Sequence, residues 1–191
     1  SYSYFNDIAD ENGFAVCYPQ GTSDQYGNNF WNVGYAFHEN QTVDDIGFIE
    51  SLADYLQAEH NLSSVNTFST GMSNGGDMSY LLACKAHETF KAIAPVAGSM
   101  LEWIYITCDG VATPVLEIHG TNDSVTLWDG DMENNDGWGA YLSTLDAIDY
   151  WVSTNDCLDS EDINLPNTDF SDGSYVINHR YFNCIDNKEV W

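Results

Sequence analysis

The sequence predicts an α/β fold in which a mostly parallel sheet carries helices on both faces. Three observations lead there. Short apolar runs alternate with longer amphipathic ones along the chain, the rhythm of strand–helix–strand units. An extended run over 66–70 meets a helix-like run over 77–85 across Gly71-Met72-Ser73-Asn74-Gly75, and strand, Gly-x-Ser-x-Gly, helix is the context of a nucleophile elbow. With 191 residues, a single domain is the default expectation.

Taken in order, residues 1–11 read as a helix with Tyr4, Ile8 and Ala9 on one face, stopped by Gly13. Residues 14–18 form a continuous apolar run around Cys17, read as a buried strand closed by Pro19-Gln20-Gly21. Residues 22–41 read as a loop rich in Asn and Gly with Phe30, Trp31, Tyr35 and Phe37 interleaved. A loop that long is either functional or pinned down by its aromatics. Residues 44–60 read as an amphipathic helix. Ile46, Ile49, Leu52 and Leu56 make its stripe, with Phe48 and Tyr55 beside them, and Thr42 with Asp45 resembles a capping box. After the glycine motif, residues 90–97 read as a buried strand ending at Gly98. Residues 114–118 read as another, closed by His119-Gly120-Thr121-Asn122-Asp123. An acidic loop runs to Gly137, and a helix is expected over 140–153 with Leu142, Leu145, Ile148 and Trp151 on one stripe. Residues 157–173 read as loop, 175–182 as a strand, and 187–191 as the start of another.

Composition narrows the function classes. Four Lys plus Arg stand against thirty Asp plus Glu, a net charge of −26. No basic stripe exists to neutralise phosphates, so nucleic acid is excluded as a partner. An anionic membrane surface is disfavoured for the same reason, and no stretch approaches the ~18 apolar residues of a membrane span. The acidity fits a saline setting, where salt screens self-repulsion, or simply an acidic secreted protein. The five cysteines contain no C-x-x-C, which argues against zinc and thioredoxin-type sites. An oxidising compartment allows two disulfides and one leftover thiol. Cys17, inside its apolar run, is the candidate for the free one. No metal or cofactor is expected.

The glycine motif alone is weak, since three fixed positions match by chance in roughly one chain of this length in fifteen. Its chemistry needs partners. A serine hydroxyl is a poor nucleophile until a base takes its proton, and the base needs an acid to hold its tautomer. On such sheets the acid follows a later strand, in the order Ser, Asp or Glu, His. Asp123, 50 residues after Ser73 and just past a strand end, fits. Its competing role is that of an Asx-turn residue. Asp129 and Asp131 are further acids, more distant from the strand end.

Four segments then carry a resemblance: Val43-Asp44-Asp45-Ile46-Gly47-Phe48-Ile49, Gly71-Met72-Ser73-Asn74-Gly75-Gly76-Asp77-Met78-Ser79, Ala92-Ile93-Ala94-Pro95-Val96-Ala97-Gly98 and His119-Gly120-Thr121-Asn122-Asp123. Together and in this order they resemble the polyhydroxybutyrate depolymerase and feruloyl esterase family of α/β-hydrolases. The resemblance implies a secreted serine esterase acting on polyester or plant cell-wall esters. It implies Ser73 as nucleophile, Asp123 as the acid and the Asn74 N–H as one oxyanion donor, a donor that elbow geometry also predicts. It pairs Cys157 with Cys184, which closes a loop worth about 3 kcal/mol, and Cys84 with Cys108 is then the second pair. The same resemblance places the catalytic histidine in a loop beyond Trp191 and the second oxyanion donor before Ser1, so the fold is expected to be an incomplete hydrolase, nearly inactive on its own. Of the five histidines only His179 follows Asp123, and it reads as a surface-facing strand residue rather than the base. His119 reads as a structural turn residue, and His38, His60 and His87 as surface or helix-end positions. Two alternatives stand beside the esterase. One is a non-catalytic module docking on a polymer through Trp31, Tyr35 and Phe37. The other is a serine peptidase of the same fold.

Overall fold

The computed structural model describes residues 4–191. Residues 1–3, where the first expected helix begins, lie outside the described residues. The chain falls into two compact units, Ser1–Phe30 and Trp31–Trp191.

In the first unit, α1 (Phe5–Asn12) ends at Gly13, whose φ of 72° is left-handed and whose N–H bonds the Ala9 carbonyl. Glycine adopts that conformation without strain. Of the expected apolar face only Ala9 is buried; Tyr4 and Ile8 are exposed. Residues 14–18 form no strand, and Phe14 and Tyr18 are exposed rather than buried. An apolar run becomes a strand only when a neighbour pairs its backbone, and no ladder partner is found for it among the described residues. Cys17 is free, as expected, but exposed. The expected loop also opens with a small hairpin, β1 (Thr22–Ser23) against β2 (Asn29–Phe30). Asp24 nucleates its turn by accepting the Tyr26 and Asn28 N–H groups at 2.9 Å each.

The second unit is built on one helix. α3 (Asn74–Lys85) is buried continuously from Gly76 to Cys84 and packs on β3 (Phe68–Met72) and β4 (Ala92–Val96), which pair in parallel. Alternation sets the two sheet faces. Ser69, Gly71, Ile93 and Val115 turn towards α3, whereas Phe68, Met72 and Ile118 stand exposed on the other side. Residues 114–118 continue the sheet in parallel with β4 through single bridges, Ile93 to Val115 and Val96 to Ile118. Val190 bridges Val115 in parallel and Tyr181 in antiparallel sense, so 187–191 does join the sheet as expected. Beyond it, β5 (Asp159–Asn164) pairs antiparallel with β6 (Ile177–Phe182). The continuous parallel sheet with both faces covered is therefore only partly realised: two-stranded ladders are linked by single bridges.

Several boundaries differ from expectation for local reasons. α2 (Asp45–His60) is capped by Asp44, which accepts the Gly47 N–H at 2.9 Å, rather than by Thr42. Ile46, Ile49 and Ala53 face the core, but Phe48 and Tyr55 are exposed. α4 (Glu102–Thr107) had no counterpart among the expected elements. α5 (Thr144–Thr154) starts later than expected because Tyr141 is held extended by bridges to Leu101 and Asp131. Its N-cap is Ser143, whose hydroxyl accepts the Asp146 N–H at 3.0 Å. Its buried side is Thr144, Ala147, Ile148 and Trp151, and Leu145 is exposed. β5 was expected to be loop; its six residues are all exposed and mostly polar, so no apolar alternation announced it.

Two disulfides staple these pieces, Cys84–Cys108 between α3 and the end of α4, and Cys157–Cys184 across the β5–β6 hairpin. Cys157–Cys184 is the pair the resemblance implied, and Cys84–Cys108 is the second pair expected beside it. Asn155, fully buried after α5, knits the sheet to this end of the chain. It accepts the Thr113 N–H at 2.9 Å and donates to the carbonyls of Thr113 and Lys188 at 2.7 and 2.8 Å.

Candidate active site

Ser73 sits between β3 and α3 with φ 53° and ψ −123°. That conformation is sparsely populated for a residue with a side chain and persists only where its surroundings enforce it. Three main-chain bonds do so: the Ser73 N–H donates to Val96 at 2.9 Å, and its carbonyl accepts the Gly76 and Asp77 N–H groups at 2.7 and 3.0 Å. The side chain does not cap the helix and the residue is exposed. The hydroxyl is thus lifted clear of the sheet. Of the first-turn N–H groups of α3, those of Gly76 and Asp77 are taken by the Ser73 carbonyl, whereas the Asn74 N–H, next to the serine, has no acceptor inside the helix.

Close backbone packing makes the bend possible. A Cβ on Gly71 would lie 2.6 Å from the Gly75 backbone. Gly75 itself faces open space, so of the two motif glycines only Gly71 is sterically required. The second close approach is elsewhere: a Cβ on Gly76 would stand 2.9 Å from Gly98 Cα. Gly76 and Gly98 are what let the helix settle onto the end of β4.

A small cleft opens at Ser73, lined by Tyr35, Asp77, Ser99, Val125, Thr126, Trp138 and Tyr141. Among the described residues no histidine lines it. Asp77 is the residue that sequence reasoning missed. It is 3 % exposed, receives the Tyr35 hydroxyl in a short hydrogen bond, and accepts the Ser99 N–H and hydroxyl at 2.5 and 3.2 Å. Burial pushes its carboxyl up to about 6 against these donors, and burial beside Asp77 pushes the Tyr35 phenol up as well. An aspartate one turn into an otherwise apolar helical run was the available signal. Asn74 adds a second tether, its side chain accepting the Trp31 N–H at 2.6 Å and donating to the Trp31 carbonyl at 3.0 Å.

Asp123 lies half-buried in the turn after residues 114–118. Its Oδ1 accepts the Val125 and Thr126 N–H groups at 2.8 and 3.1 Å, the Asx-turn role. The same turn delivers Val125 and Thr126 to the Ser73 cleft. Asp129 is exposed, and Asp131 is buried in its own loop, where N–H groups of Asn135 and Asp136 hold its carboxyl below the usual range. His179 is exposed on β6 beside Asp162 at 2.7 Å. His119 is a buried structural residue joining Glu117 to the Thr126 carbonyl. His38, expected at the surface, is 4 % exposed and packed against the Tyr35 and Phe37 rings. Of the three aromatics considered as a docking surface, Tyr35 is buried, Trp31 is half-buried against the core and Phe37 is exposed.

A serine in a strained turn between a parallel strand and the helix packed on it defines the α/β-hydrolase class. Residues 2–110 match the prolyl oligopeptidase family, and the chain belongs to that family. Among its curated relatives are probable feruloyl esterase C of Aspergillus niger, 34% identical over 60% of this chain and 40% of its own, and feruloyl esterase C of Emericella nidulans, 34% identical over 58% and 39%. A bifunctional acetylxylan esterase/xylanase of Neocallimastix patriciarum is 26% identical over 65% of this chain and 17% of its own. The chain spans about 40% of the length of the feruloyl esterases it matches.

Proposed function

We propose that this chain is the nucleophile-bearing part of a secreted serine esterase that cleaves carboxylic esters through an acyl-serine intermediate. Ser73 attacks the ester carbonyl, the Asn74 N–H stabilises the oxyanion, and Asp123 orients the imidazole that takes the serine proton. The observation that carries the reading is the strained, exposed Ser73 at the mouth of an aromatic-walled cleft. The names of the relatives point to feruloyl or acetyl esters of plant polymers, and polyhydroxyalkanoates are the further substrate class. The two disulfides and the net charge of −26 favour an extracellular setting.

No histidine lines the cleft among the described residues, so the 191-residue chain is expected to turn over p-nitrophenyl acetate only weakly. Triads stripped of one member keep a residual ~10³–10⁴-fold acceleration, and that depends on an intact oxyanion hole. Substantial turnover by this chain, abolished in Ser73→Ala, would show that the base lies within it. A second reading, a serine peptidase, is favoured by the family match itself. Methyl ferulate and a prolyl peptide amide, offered to the full-length protein, separate the two: hydrolysis of the ester alone supports the esterase, and faster hydrolysis of the amide reverses the assignment.

A further inference from the structure

A line of buried hydrogen bonds connects the nucleophile helix to the turn that bears Asp123. The Tyr80 hydroxyl on α3 donates to Glu117 Oε2 at 2.8 Å. Glu117 Oε1 lies 3.0 Å from His119 Nδ1, and His119 Nε2 lies 2.8 Å from the Thr126 carbonyl. The side chains of Glu117 and His119 are 3% and 1% exposed. Thr126 lines the Ser73 cleft, and its N–H is held by Asp123.

The proton count in this line is constrained. The Thr126 carbonyl can only accept, so Nε2 carries a hydrogen. The contact between Nδ1 and Oε1 then needs a proton as well. Donors from Tyr80 and the Gly98 main chain already favour the ionised carboxylate, which places that proton on the ring. Burial alone would push the imidazole down, but Glu117, the Thr126 carbonyl and nearby Asp123 together carry it upwards. Burial pushes Glu117 up in turn. The groups facing the pair are Tyr80 and, further along α3, Asp77, the Asp123 carboxylate on the turn, and the edge of the Trp128 ring.

We propose that His119, as a buried imidazolium clamped between Glu117 and the Thr126 carbonyl, is a positioning residue that fixes the Asp123 turn against the Ser73 cleft. It touches no substrate. Losing its proton would leave a lone pair facing the Glu117 carboxylate and release the Thr126 edge of the cleft. The link to catalysis rests on the esterase reading above; the clamp itself does not.

Nitrogen NMR of the 191-residue chain reads the ring directly. The expected result is two protonated ring nitrogens through neutral pH, with deprotonation accompanied by faster hydrogen exchange at the Val125 and Thr126 amides. A singly protonated ring at neutral pH overturns the proposal. His119→Gln is expected to speed exchange at those two amides while leaving the core amides of α3 protected. Should that variant fail to fold, Glu117→Gln serves, in which the ring is expected to lose its second proton at a lower pH. Unchanged ring titration there contradicts the clamp. In the full-length protein, the rate of fluorophosphonate attachment to Ser73 is expected to fall roughly tenfold to a hundredfold in His119→Gln, the scale of a displaced catalytic group, and to follow the ring titration in the wild type. An unaltered rate alongside a loosened turn overturns the link to the cleft. No attachment in the wild type would instead remove the esterase reading, and the NMR result then decides the clamp alone.

Discussion

Asp77 carries the unusual electrostatics of this site. Its carboxyl is held at about 6, above the ordinary 3.8, chiefly by burial. A raised acid binds its proton more tightly folded than unfolded, so its contribution to stability is greatest at low pH and declines as pH rises from about 4 to about 6. The difference is worth about 3 kcal/mol at most. Denaturant titrations of the wild type and Asp77→Asn across that window should diverge, with the wild type losing more stability on the way up; parallel curves would mean that Asp77 is not buried as a charge. At Gly98 the constraint is steric. Its Cβ would meet the Gly76 carbonyl carbon at 2.8 Å, backbone against backbone. Gly98→Ala should therefore cost about 1–3 kcal/mol in denaturant midpoint measurements, the usual range for overpacking.

At the scale of elements, the capping of α5 and the buried Asn155 that follows it make separate predictions. Ser143→Ala removes the hydroxyl that accepts the Asp146 N–H and donates to the Asp146 carboxylate at a helix start, and should cost about 1 kcal/mol. Asn155→Ala leaves the Thr113 N–H and the Thr113 and Lys188 carbonyls without their partner inside the protein and should cost about 3 kcal/mol or more, since each orphaned buried group is worth about 1–3. Equal losses in the two variants would show that water reaches the Asn155 site. The elements legible in the sequence were those with a local cause: the strand–glycine–helix junction, the α2 stripe, the short apolar run at 92–96. What was illegible depended on partners distant in the chain. β5 is acidic and exposed, and exists because β6 lies beside it. Residues 14–18 carry a strand's composition, but among the described residues no partner makes them one. Asp77 and Tyr35 are 42 residues apart, so their contact leaves no trace in either neighbourhood. Ser73 could be singled out from sequence because its bend is written in adjacent glycines; Asp77 showed only as an acid one turn into a largely apolar helix, with nothing nearby to name its partner.

At the scale of the molecule, a net charge of −26 on 191 residues makes self-repulsion general. Few positive groups oppose it: Lys85 pairs with Asp109, and Arg180 bridges Glu161 and Glu189. Screening length falls to about 3 Å in 1 M salt, so the melting temperature should rise with sodium chloride; a fall would mean that the surface ion pairs outweigh the repulsion. The disulfides act on the unfolded chain. The central claim, that Ser73 is an activated nucleophile, is tested most directly by treating the full-length protein with a fluorophosphonate and locating the adduct by mass spectrometry. One label is expected, on Ser73, absent from Ser73→Ala. A label elsewhere, or none on a folded protein, contradicts it.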